Sequence, residues 1–247
     1  MKVVVAEPFA QSGIRLLEES GVEVVNCVGA ARASLLEAIA DADGLIVRSE
    51  TRVDRELLEH SKSLAVVGRA GVGVDAIDVS AATQAGIVIV NTPAANTIAA
   101  TEQTFALMLS LARHTAQAYA SVKAGKWERS PFVGSELFEK TLGIVGLGRI
   151  GGGIATRAHA FGMRVVACDP YISQARAQAH DVELVGLEHL LACSDIVTLH
   201  VPLNDQTARM IDAPRLAMMK KSAVLINCAR GGIVDEPALL HALQSRD

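Results

Sequence analysis

The stretch Leu142-Gly143-Ile144-Val145-Gly146-Leu147-Gly148-Arg149-Ile150-Gly151 decides the fold of this 247-residue chain. A short apolar run leads into the pattern G-x-G-x-x-G, in which the first glycine permits a tight turn and the second lets a pyrophosphate approach the backbone. The third glycine lets the next helix pack closely on the strand, and the N-terminus of that helix offers unpaired N–H groups to phosphates. The stretch therefore predicts a strand–turn–helix unit that binds a dinucleotide.

Asp169 completes this pattern, because it follows a second apolar run, residues 163–168, and lies 18 positions after Gly151. A carboxylate at this place accepts hydrogen bonds from ribose hydroxyls and repels a 2′-phosphate, which favours NAD over NADP. An aspartate before Pro170 also favours a turn. The two roles are compatible, and we expect Asp169 to bind the ribose.

The composition excludes several classes of protein. Half of the residues are hydrophobic, yet no run approaches the roughly 18 apolar residues of a membrane span. The net charge of −4 gives no indication of nucleic acid or an anionic membrane as a partner. Four separated cysteines predict neither a metal site nor a disulfide framework. Because Glu7 comes too early for a signal peptide, we expect a cytoplasmic protein.

Short β-branched runs alternate with helical patterns along the whole chain, which is typical of α/β proteins with parallel sheets. The predicted strands of a first unit are residues 3–6, 22–26, 45–48, 65–69 and 87–91. Those of a second unit are residues 142–146, 164–168, 196–200 and 223–227. The turn Asn91-Thr92-Pro93 ends the first series, so we expect the boundary between the units near residues 92–100.

One long helix is predicted over residues 97–123, where apolar residues recur at spacings of 3, 4 and 7. The apolar face consists of Ile98, Phe105, Leu109, Ala112, Ala116 and Tyr119. The second unit is predicted to have four strands, whereas a complete dinucleotide-binding fold has about six.

Arginines close several predicted strands, at the sheet edge that borders the ligand crevice. Arg230 there could hold a substrate carboxylate or carbonyl in a two-pronged contact, although a surface ion pair would explain it equally well. Arg48 and Arg69, with the turn Gly71-Val72-Gly73, would suit a phosphate or carboxylate, and ordinary strand-ending arginines are the alternative. His200 ends a strand, and we expect it to line the nucleotide cleft or to cap the strand.

Taken together, five segments resemble the D-isomer-specific 2-hydroxyacid dehydrogenases, over essentially the whole chain. The most specific segment is Asn227-Cys228-Ala229-Arg230-Gly231-Gly232-Ile233-Val234-Asp235-Glu236. The others are Val67-Gly68-Arg69-Ala70-Gly71-Val72-Gly73-Val74-Asp75, Asn91-Thr92-Pro93, Lys126-Trp127-Glu128-Arg129 and the glycine pattern of residues 146–151. The fold implied is two doubly wound parallel-sheet domains, a flavodoxin-like substrate domain (residues 1–95) and an NAD-binding Rossmann domain (residues 96–247).

The resemblance also implies roles for individual residues, with NAD as the cofactor. It implies that Arg230 is the catalytic arginine, that Gly71, Val72 and Gly73 bind the substrate carboxylate through backbone amides, and that Arg48, Ser49 and Arg69 bind a substrate phosphate. The cofactor-binding set that it implies is Gly146, Gly148, Arg149, Ile150, Gly151, Asp169, His200, Pro202, Thr207, Cys228, Ala229 and Arg230.

Within the family, the sequence is most similar to the members that oxidise 3-phosphoglycerate to 3-phosphohydroxypyruvate at the start of serine biosynthesis. The resemblance implies a homo-oligomer. Two alternatives stay open. One is another enzyme of the family, such as a glyoxylate or hydroxypyruvate reductase or a D-lactate dehydrogenase. The other is a non-catalytic NAD-binding protein like the corepressors related to the family.

The chain departs from the family in one respect. In the family a histidine paired with a glutamate moves the proton, and both lie downstream of the motif at residues 227–236. Neither segment occurs before Asp247, and Glu236 and His241 lie too close to Arg230 to replace them. We therefore expect an N-terminal fragment that lacks the end of both domains. Without the general base its activity should be lower by about 100- to 10,000-fold.

Overall fold

The computed structural model describes residues 1–245, which divide into two compact units. The first unit is Met1–Asn96, and the second begins at Thr97. The division falls inside the predicted boundary region of residues 92–100, one residue after the predicted domain limit.

The first unit is a five-stranded parallel sheet with helices between the strands. Its elements are β1 (Lys2–Val5), α1 (Gln11–Glu19), β2 (Glu23–Asn26), α2 (Arg32–Ile39), β3 (Gly44–Val47), α3 (Arg55–His60), β4 (Val66–Arg69), α4 (Val79–Gln84) and β5 (Val88–Asn91). The strand order β2-β1-β3-β4-β5 is that of flavodoxin-like sheets, whose switch point lies between β1 and β3. Each of the three middle strands has a valine or leucine that is at most 1% exposed: Val4, Leu45 and Val67.

The second unit has α5 (Thr97–Ala112) and α6 (Thr115–Lys123) before its sheet. Its remaining elements are β6 (Thr141–Val145), α7 (Arg149–Ala160), β7 (Arg164–Cys168), α8 (Gln174–Gln178), β8 (Glu183–Leu184), α9 (Leu187–Cys193), β9 (Ile196–Leu199), α10 (Ala213–Met218), β10 (Val224–Asn227) and α11 (Glu236–Ser245). All neighbouring strands pair in parallel, in the order β10-β9-β6-β7-β8. This order is the first five strands of the doubly wound dinucleotide fold, with its switch point at β6.

The nine predicted strands all form, with ends that differ by at most one residue. The prediction of four strands in the second unit was wrong, since β8 is a fifth. Only Glu183 and Leu184 belong to it, and they pair with Val166 and Ala167. A two-residue strand is too short to produce a periodic pattern in the sequence.

The prediction of one helix over residues 97–123 was also wrong, because the chain breaks between α5 and α6. His114 there has a φ of 51°, in the left-handed region. The carbonyl of Ala112 accepts a hydrogen bond from Ser135 N–H at 2.8 Å, so a distant loop replaces the helical partner of that carbonyl. The apolar face is also incomplete: Phe105 is buried, but Ile98 and Tyr119 are 56% and 65% exposed.

None of the helices within residues 1–245 has the length and the apolar character that crossing a bilayer requires.

Ile154 offers a test of the core of the second unit. It lies on α7, is completely buried and belongs to the cluster between α7 and the sheet. We expect Ile154→Ala to lower the free energy of unfolding by about 2–5 kcal/mol, because the cavity left behind does not collapse. Leu240→Ala removes the same number of atoms from an exposed site of the same unit, and its effect should be within about 0.5 kcal/mol. Equal effects in denaturant titrations would contradict this description of the core.

Candidate functional site

A cavity of about 590 Å³ opens at the carboxyl edge of the second sheet. It lies where strand order reverses around β6, which is the usual ligand crevice of an open α/β sheet. The loops that follow β6, β7, β8 and β9 supply its walls. The predicted cofactor residues among its lining are Gly146, Gly148, Asp169, His200, Pro202 and Thr207.

The glycine turn after β6 has no room for side chains at two of its positions. Gly146 has a φ of 94°, and a Cβ there would lie 2.7 Å from the carbonyl oxygen of His200. A Cβ on Gly151 would lie 2.2 Å from the carbonyl oxygen of Gly146, so α7 packs directly on the turn. By contrast, a Cβ on Gly148 would meet nothing within 4 Å. The turn is thus closely packed at Gly146 and Gly151 but has free space beside Gly148. A pyrophosphate that approaches the backbone closely requires this space.

Asp169 connects the end of β7 to this glycine turn. Its Oδ2 accepts a hydrogen bond from Leu147 N–H at 2.8 Å, and its Oδ1 accepts one from Tyr171 N–H at 2.9 Å. The second bond is the turn that an Asp-Pro sequence favours. Because a carboxylate has about four acceptor sites, these two bonds leave capacity for ribose hydroxyls. The geometry is compatible with both roles expected of Asp169.

His200 lies between β9 and the cavity and is largely buried. Its Nε2 is 2.7 Å from Oγ1 of Thr198, a side chain that is completely buried. Burial lowers the pKa of His200 to about 4, because a charged imidazole would be poorly solvated there. The ring is therefore neutral at pH 7, and its bond to Thr198 fixes its orientation.

The loop after β9 forms the opposite wall and is held by its own polar side chains. Thr207 Oγ1 donates to the carbonyl of Pro202 at 2.5 Å and accepts from Asn204 N–H at 2.9 Å. The hydroxyl of Tyr171 donates to Oε1 of Gln206 at 3.1 Å, which links this loop to the loop after β7. These hydrogen bonds stabilise the loop that places Pro202 and Thr207 at the cavity.

Six predicted cofactor residues do not line this cavity. Arg149, Ile150 and Gly151 form the first turn of α7, where backbone N–H groups lack partners within the helix. Cys228, Ala229 and Arg230 follow β10, the outer neighbour of β9. The side chain of Asn227 braces this loop: it donates to the carbonyl of Arg230 at 2.7 Å and accepts from Ala229 N–H at 3.0 Å.

In the first unit, Arg69 and Ser49 meet at the carboxyl ends of β4 and β3. Nη2 of Arg69 donates to Oγ of Ser49 at 3.1 Å. Nε of Arg69 is buried and has no hydrogen-bond partner among the described residues. Arg48, which precedes Ser49 in the same loop, is exposed. A buried N–H of a guanidinium without an acceptor is costly, and an anion would supply that acceptor.

The turn after β4 is oriented by the end of β5. Asn91 donates from its side chain to the carbonyl of Val72 at 2.7 Å, and Thr92 N–H donates to the carbonyl of Gly71 at 3.0 Å. Since N–H and C=O of a trans peptide point in opposite directions, the N–H groups of Val72 and Gly73 point away from β5.

The N–H groups of Val72 and Gly73 have no partner within residues 1–245, but Gly71 N–H donates to the carbonyl of Arg69 at 2.8 Å. Two of the three predicted amides are thus available for a carboxylate. The amide of Gly71 closes the turn on Arg69 in this structure, and its role toward the substrate carboxylate stays a prediction.

Among the residues that the structure describes, no three His, Cys, Asp or Glu side chains come together as metal ligands.

Sequence reasoning missed the residues that hold these loops, above all Glu7, Asn91 and Thr198. Glu7 accepts hydrogen bonds from the loop after β3. The only available signal for Glu7 and Asn91 is their place at the end of apolar strands, where a polar side chain faces the crevice. Thr198 gives no signal, because threonine is common in strands.

The comparisons with known proteins establish the family. The family model "D-isomer specific 2-hydroxyacid dehydrogenase, NAD binding domain" matches residues 105–247. The chain belongs to the D-isomer specific 2-hydroxyacid dehydrogenases, and its second unit carries the NAD-binding domain of that family. The predictions of the family, of NAD as its cofactor and of the α/β fold are confirmed.

Curated relatives extend over nearly the whole chain. D-3-phosphoglycerate dehydrogenase of Methanocaldococcus jannaschii is 49% identical over 245 residues, which are 99% of this chain and 47% of that protein. The human D-3-phosphoglycerate dehydrogenase is 43% identical over 244 residues, which are 99% of this chain and 46% of that protein. The chain spans about half the length of these relatives.

Solved structures share the fold. The TT0316 protein of Thermus thermophilus aligns with a TM-score of 0.90 and 37% identity, over 99% of this chain and 78% of that chain. The D-lactate dehydrogenase of Aquifex aeolicus, solved with NAD and lactic acid, aligns with a TM-score of 0.88 and 29% identity. That alignment covers 99% of this chain and 74% of the other.

His200 should make the fold sensitive to mild acid. Its folded pKa of about 4 lies below the ordinary value of 6.5, so between these values only the unfolded chain takes up the proton. Stability therefore falls as the pH drops through this range, and the share of His200 between pH 7 and pH 5 is about 2 kcal/mol. His200→Gln should lose about 2 kcal/mol less than the wild type over the same interval in denaturant titrations. Equal losses would mean that His200 titrates normally in the folded protein.

Proposed function

We propose that this chain carries the cofactor-binding and substrate-binding parts of an NAD-dependent enzyme that oxidises 3-phospho-D-glycerate to 3-phosphohydroxypyruvate. The observation that carries the proposal is the buried Nε of Arg69 without a partner among the described residues, beside the hydroxyl of Ser49. An anion with several acceptor oxygens could accept hydrogen bonds from both of these groups. The similarity to D-3-phosphoglycerate dehydrogenases supports phosphate as that anion.

The second unit is proposed to hold the cofactor by its glycine turn and Asp169. The open space above Gly148 and the N-terminus of α7 suit the pyrophosphate, with Arg149 and Ile150 in its first turn. The carboxylate of Asp169 suits the ribose diol, and His200, Pro202 and Thr207 wall the cavity. When bound, NAD supplies the acceptor for the hydride of the substrate.

The first unit is proposed to bind the substrate at two places on its carboxyl edge. The N–H groups of Val72 and Gly73 suit the carboxylate, since two parallel N–H donors match its two oxygens. Arg48, Ser49 and Arg69 suit the phosphate. From the second unit, Arg230 is proposed to orient and polarise the oxygen at C2.

His200 is not proposed as the general base. Its Nε2 is engaged with Thr198, and with a pKa of about 4 the imidazole is a weak proton acceptor at pH 7. It is the only histidine, and there is no glutamate, among the described residues that line the cavity. The residues of this chain are therefore given binding and orienting roles, and proton transfer is assigned to none of them.

The proposed enzyme is a cytoplasmic homo-oligomer. Supporting an oligomer, large apolar side chains are exposed on α5, α6 and the segment after them: Ile98, Leu107, Leu111, Tyr119, Val122 and Trp127. An exposed apolar surface of this kind suits a subunit contact. Supporting the location, all four cysteines are free.

Asp169→Asn tests the proposed ribose contact. The amide keeps the shape but loses the charge that holds the diol and repels a 2′-phosphate. We expect the Kd for NAD to rise about tenfold and the preference for NAD over NADP to shrink, in calorimetric titrations. The control is Asp205→Asn, which removes the same charge from an exposed position of the loop after β9. If both variants bind NAD as the wild type does, Asp169 has no role in cofactor binding.

Arg69→Ala tests the proposed substrate. With NAD present, the wild type should bind 3-phosphoglycerate more tightly than D-glycerate. The variant should lose about tenfold or more in affinity for 3-phosphoglycerate, because a charge-assisted bond to phosphate is lost, and little for D-glycerate. Arg15→Ala removes the same charge from an exposed position of α1 and should leave both affinities unchanged.

Two results of this experiment would count against the proposal. A wild-type chain that binds both acids alike would favour another 2-hydroxyacid dehydrogenase of the family. A chain that binds NAD but neither acid would favour a non-catalytic NAD-binding protein.

A further inference from the structure

Glu7 lies two residues after the end of β1 and is only 6% exposed, yet both of its carboxylate oxygens accept hydrogen bonds. Oε1 accepts hydrogen bonds from the backbone N–H groups of Arg48 at 2.7 Å and Thr51 at 2.9 Å. Oε2 accepts those of Ser49 at 2.9 Å and Glu50 at 3.1 Å. One buried side chain therefore gathers four consecutive N–H groups of the loop after β3.

This arrangement determines the conformation of the loop. Because residues 48–51 turn all four N–H groups onto one carboxylate, their backbone forms a closed cap around it. The side chains of Arg48 and Ser49 remain exposed. Burial raises the pKa of Glu7, but the backbone hydrogen bonds outweigh it and bring the pKa down to about 2. The carboxylate is therefore ionised at pH 7, which makes these bonds strong.

The loop in turn locates the guanidinium of Arg69. Oγ of Ser49 accepts from Nη2 of Arg69 at 3.1 Å, while the backbone N–H of the same serine is held by Glu7. On its other side the guanidinium lies over Gly71, where a Cβ would come within 1.2 Å of Nη1. Arg69 thus sits between Ser49 and Gly71, and the position of Ser49 depends on Glu7.

We propose that Glu7 is the positioning residue of the anion site formed by Arg48, Ser49 and Arg69, acting through the backbone of residues 48–51. The inference rests on the proposed function for the identity of the anion, a phosphorylated 2-hydroxy acid. Glu7 does not touch that anion. It acts by holding the hydroxyl of Ser49 where it orients the guanidinium of Arg69.

Glu7→Gln is the direct test. The amide has one acceptor oxygen in place of two, and its NH₂ group would face N–H donors, so the loop loses its cap. We expect the Kd for 3-phosphoglycerate to rise about tenfold, at a temperature where the variant is folded, with the Kd for D-glycerate unchanged. A purely structural role would lower the melting temperature and leave the ratio of the two Kd values as in the wild type, and that result would overturn the proposal.

Glu50→Gln is the matched control. Glu50 is an exposed carboxylate of the same loop, and its backbone N–H remains bonded to Glu7. The substitution changes the charge of the loop by the same amount but keeps the cap. We expect no loss of affinity for 3-phosphoglycerate. A loss equal to that of Glu7→Gln would assign the effect to charge and contradict positioning.

Ser49→Ala tests the path from Glu7 to Arg69. If Glu7 acts through Ser49, the double variant Glu7→Gln/Ser49→Ala should bind 3-phosphoglycerate about as weakly as the weaker single variant, since both break one path. If the losses of affinity in the two single variants multiply in the double variant, Glu7 and Ser49 act independently and this path is contradicted. These results can be told apart from a failure of the proposed function. If the wild type does not prefer 3-phosphoglycerate to D-glycerate, the proposed substrate is wrong. If the wild type has this preference and Glu7→Gln keeps the same Kd for 3-phosphoglycerate, only the role of Glu7 is refuted.

Discussion

Backbone N–H groups at the carboxyl ends of parallel strands must find acceptors, and the candidate sites of this protein depend on how they do so. In each unit, an acidic side chain after one strand accepts the N–H groups of the loop after a neighbouring strand. Glu7 does this for residues 48–51, and Asp169 does it for Leu147. Buried backbone groups without partners would be costly, so these acceptors fix loop shape. The loops then present the groups that can meet a ligand.

The two units use the same architecture in different ways. In the second unit the switch point beside β6 is open, and the glycine turn leaves space above Gly148. In the first unit the switch point lies between β1 and β3, and the carboxylate of Glu7 occupies it. The buried Nε–H of Arg69, which has no hydrogen-bond acceptor among the described residues, lies on the next strand of the sheet, β4. A chain of two related sheets thus carries the crevice of an NAD-binding domain on one and the proposed anion site on the other.

The sequence predicts most of this fold because its strands are apolar runs and its glycine turn has a fixed spacing. It does not predict the role of Glu7, since a carboxylate after a strand gains meaning only when the strand order places β1 beside β3. The break at His114 was missed for a similar reason. The break depends on Ser135, which lies beyond α6 in the chain. The backbone N–H of Ser135 donates a hydrogen bond to the carbonyl of Ala112. Local patterns report local structure, whereas these features arise from contacts between distant parts of the chain.

Cys168 gives the cofactor cavity a chemical property of its own. Its thiol stands at the end of β7 among the residues that line the cavity. Burial and the nearby carboxylates of Asp169 and Glu188 raise the pKa of this thiol, so it stays protonated at neutral pH. Since thiolates and not thiols react with peroxides and disulfides, this cysteine is a poor target for oxidants. The crevice therefore holds a sulfur atom that packs as a small apolar group and carries little thiolate at neutral pH.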